Sequence, residues 1–151
     1  MKIYFDVCCL NRPFDRQDQP RISLESAAVV RILELIESGA LTDHSSEMAR
    51  IEIGRMSDPD RRRKVSALLP PRARTISLDK AALDAAEEIV KIGFSLADAV
   101  HLVAARRIGV DVLLTVDDNL EKLATRHIQQ VSVRVRNPVT FLKEFSDEHD
   151  R

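Results

Sequence analysis

Three aspartates in this 151-residue chain have the type and position needed for chemistry. Asp6 and Asp117 each follow a short apolar run, and Asp98 lies near the start of the apolar stretch 96–105. No lysine or arginine accompanies them in a local pattern that would neutralise their charge. A carboxylate at the end of a buried segment is costly unless something positive compensates it. The pattern therefore favours a divalent cation shared by the three side chains.

The cost of bringing these carboxylates together supports the same interpretation. Two carboxylates about 4 Å apart repel each other by roughly 4 kcal/mol at an effective dielectric of 20. A marginally stable protein would not cluster three of them without a cation. Oxygen ligands favour Mg²⁺ or Mn²⁺ over zinc. Local roles stay open beside this one, because Ser95 and Asp98 form a capping box and Asp117 and Asp118 suit the first turn of a helix.

A fourth acid is harder to place, because two glutamates follow the second apolar run. Glu47 and Glu52 are both candidates, and either one could be an ordinary residue of a helix surface. Glu52 lies between Ile51 and Ile53, which places it near the edge of a buried helix face. The choice between the two glutamates stays open at this point.

The bulk composition is that of an ordinary globular protein with one domain. Apolar residues make up 44% of the chain, charged residues make up 31%, and the net charge is −1. The whole molecule is therefore not an electrostatic binder of nucleic acid, and any polyanion site must come from local clustering. Cys8 and Cys9 are adjacent and fit no metal or disulfide framework. We expect a cytoplasmic protein without a signal peptide or membrane span.

Short apolar runs alternate with helical periodicity along the chain, which predicts a three-layer α/β/α fold with a central parallel sheet. The predicted strands are 2–6, 41–45, 73–78, 110–115 and 130–135. The predicted helices are 23–38, 47–55, 59–69, 79–91, 95–107 and 118–125, with a helical turn up to residue 145. A loop with two prolines covers 11–20, the single domain covers 1–145, and a polar tail covers 146–151. Ligands of such sheets gather at the carboxyl ends of the strands.

Three segments together carry a resemblance to a known family. The run Ile3-Tyr4-Phe5-Asp6, the helix 96–105 around Asp98, and the segment Leu113-Leu114-Thr115-Val116-Asp117 resemble the PIN domain. The best-known small members with a single domain are the VapC-type ribonuclease toxins. The resemblance covers nearly the whole chain in the order of its elements. It implies an acidic site that binds Mg²⁺ or Mn²⁺ and cleaves RNA.

The resemblance also assigns individual residues. Asp6, Glu52, Asp98 and Asp117 match the four acids of the family. Asp6, Asp98 and Asp117 are the expected metal ligands, and Thr115 and Asp118 are expected to support them. Toxins of this family are held inactive by a small antitoxin protein, and dimerisation is common. The resemblance therefore implies RNA, an antitoxin and a second copy of the chain as partners.

The chain also departs from the family pattern. Cys8 stands where members often have Asn or Ser, and Asn119 stands where some carry a further Asp. A nuclease needs basic groups for the phosphate backbone, and the candidates are Arg12, Arg50 and Arg55. His101, one turn after Asp98, is interpreted as a satisfied or surface histidine.

Two other functions stay open. One is a catalytically weak PIN-like module that binds RNA or protein, which the departures at Cys8 and Asn119 allow. The other is a receiver-type phosphoacceptor domain, which the absence of a lysine at the end of the last strand makes less favourable.

Overall fold

The computed structural model describes residues 1–149, in which every strand pairing is parallel. The strands are β1 (Lys2–Phe5), β2 (Thr42–Ser46), β3 (Thr75–Ile76), β4 (Val112–Leu114) and β5 (Val135–Arg136). The α-helices are α1 (Val7–Asn11), α2 (Pro20–Glu37), α3 (Glu47–Gly54), α4 (Pro59–Ser66), α5 (Lys80–Val90), α6 (Leu96–Ile108), α7 (Asp118–Arg126), α8 (Ile128–Val131) and α9 (Pro138–His149). Two short 3₁₀ turns lie at Arg12–Phe14 and Arg72–Arg74.

The strand order β3-β2-β1-β4-β5 places the first strand at the centre of the sheet. The chain moves outward from β1 to β2 and β3, and then returns to the other side of β1 with β4 and β5. The order therefore switches between β1 and β4. In parallel sheets, ligands bind outside the carboxyl ends of the strands at such a switch. Asp6 follows β1 and Asp117 comes shortly after β4, so both lie at this point.

Helices cover both faces of the sheet, which confirms the predicted three-layer architecture. Because side chains alternate along a strand, Tyr4 packs with α5 and α6, whereas Ile3 and Phe5 pack on the other face. That second face is covered by residues of α1, α2, α3, α4 and α9. The central strands β1 and β4 are thus buried on both sides, and the acids of the site follow their ends.

Local signals fix the ends of the helix that carries Asp98. The Ser95 hydroxyl accepts a hydrogen bond from the Asp98 backbone N–H at 3.2 Å, as expected of an N-cap. At the other end, Gly109 has a φ of 79°, in the left-handed region that glycine tolerates best. The apolar middle of α6 is buried, so the helix holds Asp98 rigidly at the carboxyl edge of the sheet.

The prediction of a strand at residues 130–135 was wrong. The chain instead forms the single helical turn α8, which ends at Ser132 with a φ of 55°, and only Val135 and Arg136 join the sheet. Val131 and Val133 are both buried. Val131 is buried at the end of the helical turn and Val133 in the loop that follows, so the alternation of these valines does not come from a paired strand.

Several boundaries also differ from the sequence-based expectations. The segment after Asp6 forms the helix α1 and a 3₁₀ turn within the expected loop 11–20, and α2 already begins at Pro20. The helix α9 continues to His149, beyond the expected end at residue 145. Residues 146–149 of the predicted tail are thus helical, and residues 150–151 lie outside the described part. Among the described helices, none is both long and apolar enough to cross a bilayer.

Candidate active site

Asp6 is held at the end of β1 by a residue of the neighbouring strand. The Asp6 backbone N–H donates to the carbonyl of Leu114 at 2.9 Å, which extends the pairing of β1 with β4. The Thr115 hydroxyl then donates to Asp6 Oδ2 at 2.8 Å and accepts the backbone N–H of Asp117 at 3.1 Å. Asp6 is only 8% exposed. Thr115 therefore joins two of the acids and fixes the orientation of the Asp6 carboxylate.

Asp117 occupies the N-cap of α7. Its Oδ1 accepts the backbone N–H groups of Asn119 and Leu120 at 3.0 and 3.2 Å. The local capping role that the sequence allowed is thus present. Because both bonds use Oδ1, Asp117 Oδ2 stays available for another partner.

Asp98 experiences the charges of the other two aspartates. Burial raises the pKa of the Asp98 carboxyl, and the negative charges of Asp6 and Asp117 raise it further. The three side chains come from segments that are far apart in the sequence. The charges of Asp6 and Asp117 act on Asp98, so the three side chains lie in the same region at the end of the sheet.

Glu52 reaches the same place from α3. Its Oε1 lies 2.6 Å from Nε2 of His101, which is only 1% exposed. Ligand atoms of Asp6, Glu52 and His101 all lie within 4.8 Å of one another. By contrast, the Glu47 carboxylate accepts the backbone N–H of Leu78 at 3.0 Å. The geometry thus favours Glu52 as the fourth acid.

A buried chain of hydrogen bonds stands behind Glu52. The Tyr4 hydroxyl lies 2.6 Å from His101 Nδ1 and 2.6 Å from the Ser46 hydroxyl. Burial raises the pKa of Tyr4 well above its ordinary value, so this phenol stays protonated. Burial lowers the pKa of His101, but the hydrogen bond to Glu52 and the charge of Asp6 outweigh it and raise the pKa. These contacts fix the orientation of His101 and therefore of Glu52.

Sequence reasoning did not find the positions of Tyr4 and His101 in this site. The interpretation of His101 as a satisfied histidine agrees with its two hydrogen bonds, but its contact with Glu52 was not anticipated. One signal was available, because Asp98 and His101 are three residues apart and so share a helix face. No local pattern marks Tyr4, whose hydroxyl meets a histidine 97 positions away.

Asp118 is bound by an arginine of α2. Its two oxygens accept bonds from the Arg21 guanidinium at 2.7 and 2.8 Å, and Arg21 also donates to the Val116 carbonyl at 3.3 Å. The paired guanidinium lowers the pKa of Asp118. This contact ties the start of α7 to α2. Its position is compatible with a supporting role for Asp118.

The three arginines expected near RNA differ in their surroundings. Arg12 donates to Glu25 at 3.0 Å and to Asp15 at 3.1 Å, so its guanidinium is already paired. Arg50 is half-buried and Arg55 is exposed, and within residues 1–149 neither forms an ion pair.

Cys8 lies at the edge of the acidic cluster. Its half-buried thiol donates to Asp6 Oδ2 at 3.2 Å and lies 3.4 Å from the Thr115 hydroxyl. The thiol thus makes the contact that a small polar side chain would make there. Asn119, the second departure from the family pattern, is exposed in the first turn of α7.

The donor set fits a divalent cation. Asp6, Glu52, Asp98 and Asp117 supply hard oxygen ligands of the kind that Mg²⁺ and Mn²⁺ prefer. Within residues 1–149, none of the three aspartates forms an ion pair with lysine or arginine, so no full positive charge from those residues offsets their repulsion. The negative charge that raises the pKa of Asp98 would be neutralised by such an ion.

Comparison with known proteins identifies the family. A family model described as PIN domain matches residues 3–126. The chain belongs to the PIN domain family. This PIN domain also resembles the structure of FitAcB from Neisseria gonorrhoeae, with a TM-score of 0.57 and 15% sequence identity. That likeness covers 90% of this chain and 97% of the other, and at this identity it supports the fold alone. No curated protein matches the sequence.

Proposed function

We propose that this PIN domain is a divalent-metal-dependent ribonuclease that hydrolyses phosphodiester bonds of RNA. The observation that carries the proposal is that Asp6 and Asp117 follow the strands at the switch point and that their charges act on Asp98, while none of the three forms an ion pair with lysine or arginine in residues 1–149. Glu52 completes the set of four acids. Membership of the PIN domain family supports the reaction class, and the contacts around Asp6 and Glu52 support the choice of residues.

In this proposal Asp6, Asp98 and Asp117 hold Mg²⁺ or Mn²⁺. When bound, a divalent ion in such a site makes a nucleophile available from water at neutral pH and polarises the phosphate. Thr115 orients Asp6 through its hydroxyl, and the N-cap bonds of Asp117 hold that side chain at the start of α7. Rigid ligands of this kind reduce the reorganisation that the reaction requires.

Glu52 and His101 form the part of the site next to Asp6. Tyr4 and Ser46 fix the ring of His101, and His101 in turn fixes one oxygen of Glu52. The second oxygen of Glu52 is then available to the ion or to a water molecule beside the phosphate. We propose that Glu52 positions that water, a role that requires a correctly oriented carboxylate.

RNA contact is proposed for Arg50, Arg55 and Arg12. Arg50 and Arg55 are the stronger candidates, because no carboxylate neutralises them in the described chain. Arg12 can contribute only the donors that Glu25 and Asp15 leave free. Phosphate contacts of this type give affinity without reading the sequence of the RNA.

Partners follow from the family resemblance. We propose that the protein is the toxin of a toxin–antitoxin pair and that it is inhibited by a small antitoxin. We also propose that it forms a homodimer. Light scattering checks the second proposal, and a mass equal to one chain at micromolar concentration would contradict it.

The deciding experiment compares RNA cleavage by the wild type and by Asp6→Asn. With Mg²⁺ or Mn²⁺, the wild type should cleave a labelled single-stranded RNA, and EDTA should abolish the activity. Asp6→Asn should lower the rate by about 100-fold or more, since changes even to partners of metal ligands cost about 10- to 100-fold. The matched control is Asp84→Asn, which changes an exposed aspartate of α5. Cleavage that persists in Asp6→Asn would contradict the assignment.

A further inference from the structure

A cavity of about 420 Å³ lies between α3 and α4. Its polar lining consists of Arg50, Arg62, Arg63 and Ser66, and Ile53 contributes an apolar wall. Arg50 and Glu52 are two residues apart on α3, which separates their side chains by about 200° around the helix axis. The cavity therefore lies on the side of α3 that faces away from the acidic site.

The cavity carries positive charge that the protein does not compensate. No aspartate or glutamate lines it. Arg50 and Arg62 are both half-buried, and within residues 1–149 neither has a carboxylate within ion-pair distance. Arg63 is exposed and is paired with Asp60 at 2.7 Å. Guanidinium groups removed from water without a counter-charge are costly.

The hydrogen bonds of the two arginines leave donors free. Arg62 uses Nη1 to bond the Met56 carbonyl at 2.7 Å. Arg50 uses Nη2 to bond the Pro70 carbonyl at 3.1 Å, while its Nε is buried and has no partner. These contacts hold both guanidinium groups in place beside the cavity, and an anion is the ligand that their remaining donors complement.

We propose that this cavity binds a phosphate group, and that in the working protein this phosphate belongs to the RNA strand that enters the acidic site. Arginine suits phosphate because its planar group can donate two parallel hydrogen bonds. The volume exceeds that of one phosphate, and the wall at Ile53 offers apolar surface to a ribose. The phosphate chemistry stands on the cavity itself, whereas the RNA source rests on the proposed ribonuclease function.

The arrangement on α3 gives the RNA strand a defined path. A helix with its side chains is about 10–12 Å wide, so the cavity and the acids lie about one helix width apart. A strand that crosses α3 would place one phosphate among the acids and a phosphate further along the strand near Arg50. The cavity would thus hold the substrate beside the bond to be cleaved.

The first test changes Ser66, an exposed residue of α4 that lines the cavity. Ser66→Glu places a carboxylate in the cavity and keeps every arginine, while Ser66→Gln adds similar bulk without charge. Binding of a fluorescent single-stranded RNA is measured by anisotropy in EDTA, so that cleavage does not interfere. We expect Ser66→Glu to weaken binding by about 10-fold or more and to reduce the salt slope by about 0.7 for each phosphate that the protein no longer neutralises. Ser66→Gln should weaken binding less than Ser66→Glu, because it adds bulk without charge.

The second test removes charge from the cavity. Arg50→Gln and Arg62→Gln should each weaken RNA binding, and Arg62→Lys should restore part of it. The matched control is Arg106→Gln. Arg106 is also half-buried, and its guanidinium bonds the carbonyl of Gln130. It lies in the last turn of α6, whereas Asp98 lies in the first. Thermal unfolding of each variant shows whether it is folded. Inorganic phosphate should raise the thermal midpoint of the wild type and not that of Ser66→Glu. This measurement tests phosphate binding in the cavity without RNA.

The outcomes separate the two parts of the proposal. Equal responses of Ser66→Glu and Ser66→Gln to both RNA and inorganic phosphate would overturn it. A phosphate response abolished in Ser66→Glu with unchanged RNA affinity would overturn RNA as the source. If the wild type cleaved no RNA with any metal, the ribonuclease function would fail, but a specific loss of binding in Ser66→Glu would still support the phosphate site.

Discussion

The pKa of Asp98 depends on the other acids of the site. Its carboxyl is half-buried and lies close enough to Asp6 and Asp117 for their charges to raise its pKa. A group whose pKa is raised on folding makes the folded protein less stable once it is ionised. The ionised cluster is therefore a source of instability in the metal-free protein, and a bound cation would remove it.

The first prediction at the residue scale concerns Mn²⁺. Ligand at 100 times its dissociation constant stabilises a protein by roughly 2.7 kcal/mol, which corresponds to several degrees at this size. We expect Mn²⁺ to raise the thermal midpoint of the wild type. Asp98→Asn should abolish the shift while leaving the metal-free protein at least as stable, because the repulsion is removed. Differential scanning calorimetry measures both effects, with Asp84→Asn as the control. A full Mn²⁺ shift in Asp98→Asn would contradict the proposed metal site.

At the scale of the elements, one buried glutamate connects separate segments around the site. Glu25 on α2 is 2% exposed and accepts hydrogen bonds from Arg12, Arg21 and Asn137. These partners come from the 3₁₀ turn after α1, from α2 itself and from the connection between β5 and α9. Arg21 also bonds Asp118, so the network reaches the start of α7 beside Asp117.

The prediction for this network concerns Arg12. Arg12→Ala leaves Glu25 buried with fewer partners, and we expect a loss of about 1–3 kcal/mol in the free energy of unfolding. Arg31→Ala is the matched control, because it breaks the exposed ion pair with Glu34 on the same helix and should cost less than about 1 kcal/mol. Urea denaturation measures both. Equal costs for the two variants would show that the Glu25 network does not hold the elements together.

At the scale of the whole molecule, one sheet separates two apolar cores. Leu102 on α6 is fully buried in one core, and Leu114 on β4 is fully buried in the other. Both cores pack against the same central strands, β1 and β4. The two faces should therefore unfold together, as expected if residues 1–145 form one domain.

The prediction at this scale is a single cooperative transition. Leu102→Ala and Leu114→Ala should each lower the free energy of unfolding by about 2–5 kcal/mol, the usual cost of such a cavity. Each should also shift the whole transition, as followed by far-UV circular dichroism and by calorimetry. The single domain would be contradicted if a variant showed two transitions, one at a lowered midpoint and one at the midpoint of the wild type.

The sequence by itself determined the class of fold and predicted three aspartates as acids of the site. Apolar runs alternating with helical periods predicted the parallel sheet, because the central strands of such a sheet are buried on both faces and are therefore mostly apolar. Asp6 and Asp117 were recognisable because a charge that follows such a run must lie at a sheet edge. These patterns are local, because each depends only on residues that are close together in the sequence.

Only the tertiary structure decided which side chains meet. It brought Glu52 to Asp6 through His101, paired Arg12 with Glu25, and turned the alternating valines of residues 130–135 into a helical turn and a loop. Hydrogen bonds between residues dozens of positions apart leave no periodic trace in the sequence. Val131 and Val133 can be buried in the core beside α6 whether their segment is a strand or a turn, so burial alone does not decide between the two. The physical reason is that packing and long-range partners depend on all elements at once, whereas periodicity and capping depend on a few neighbouring residues.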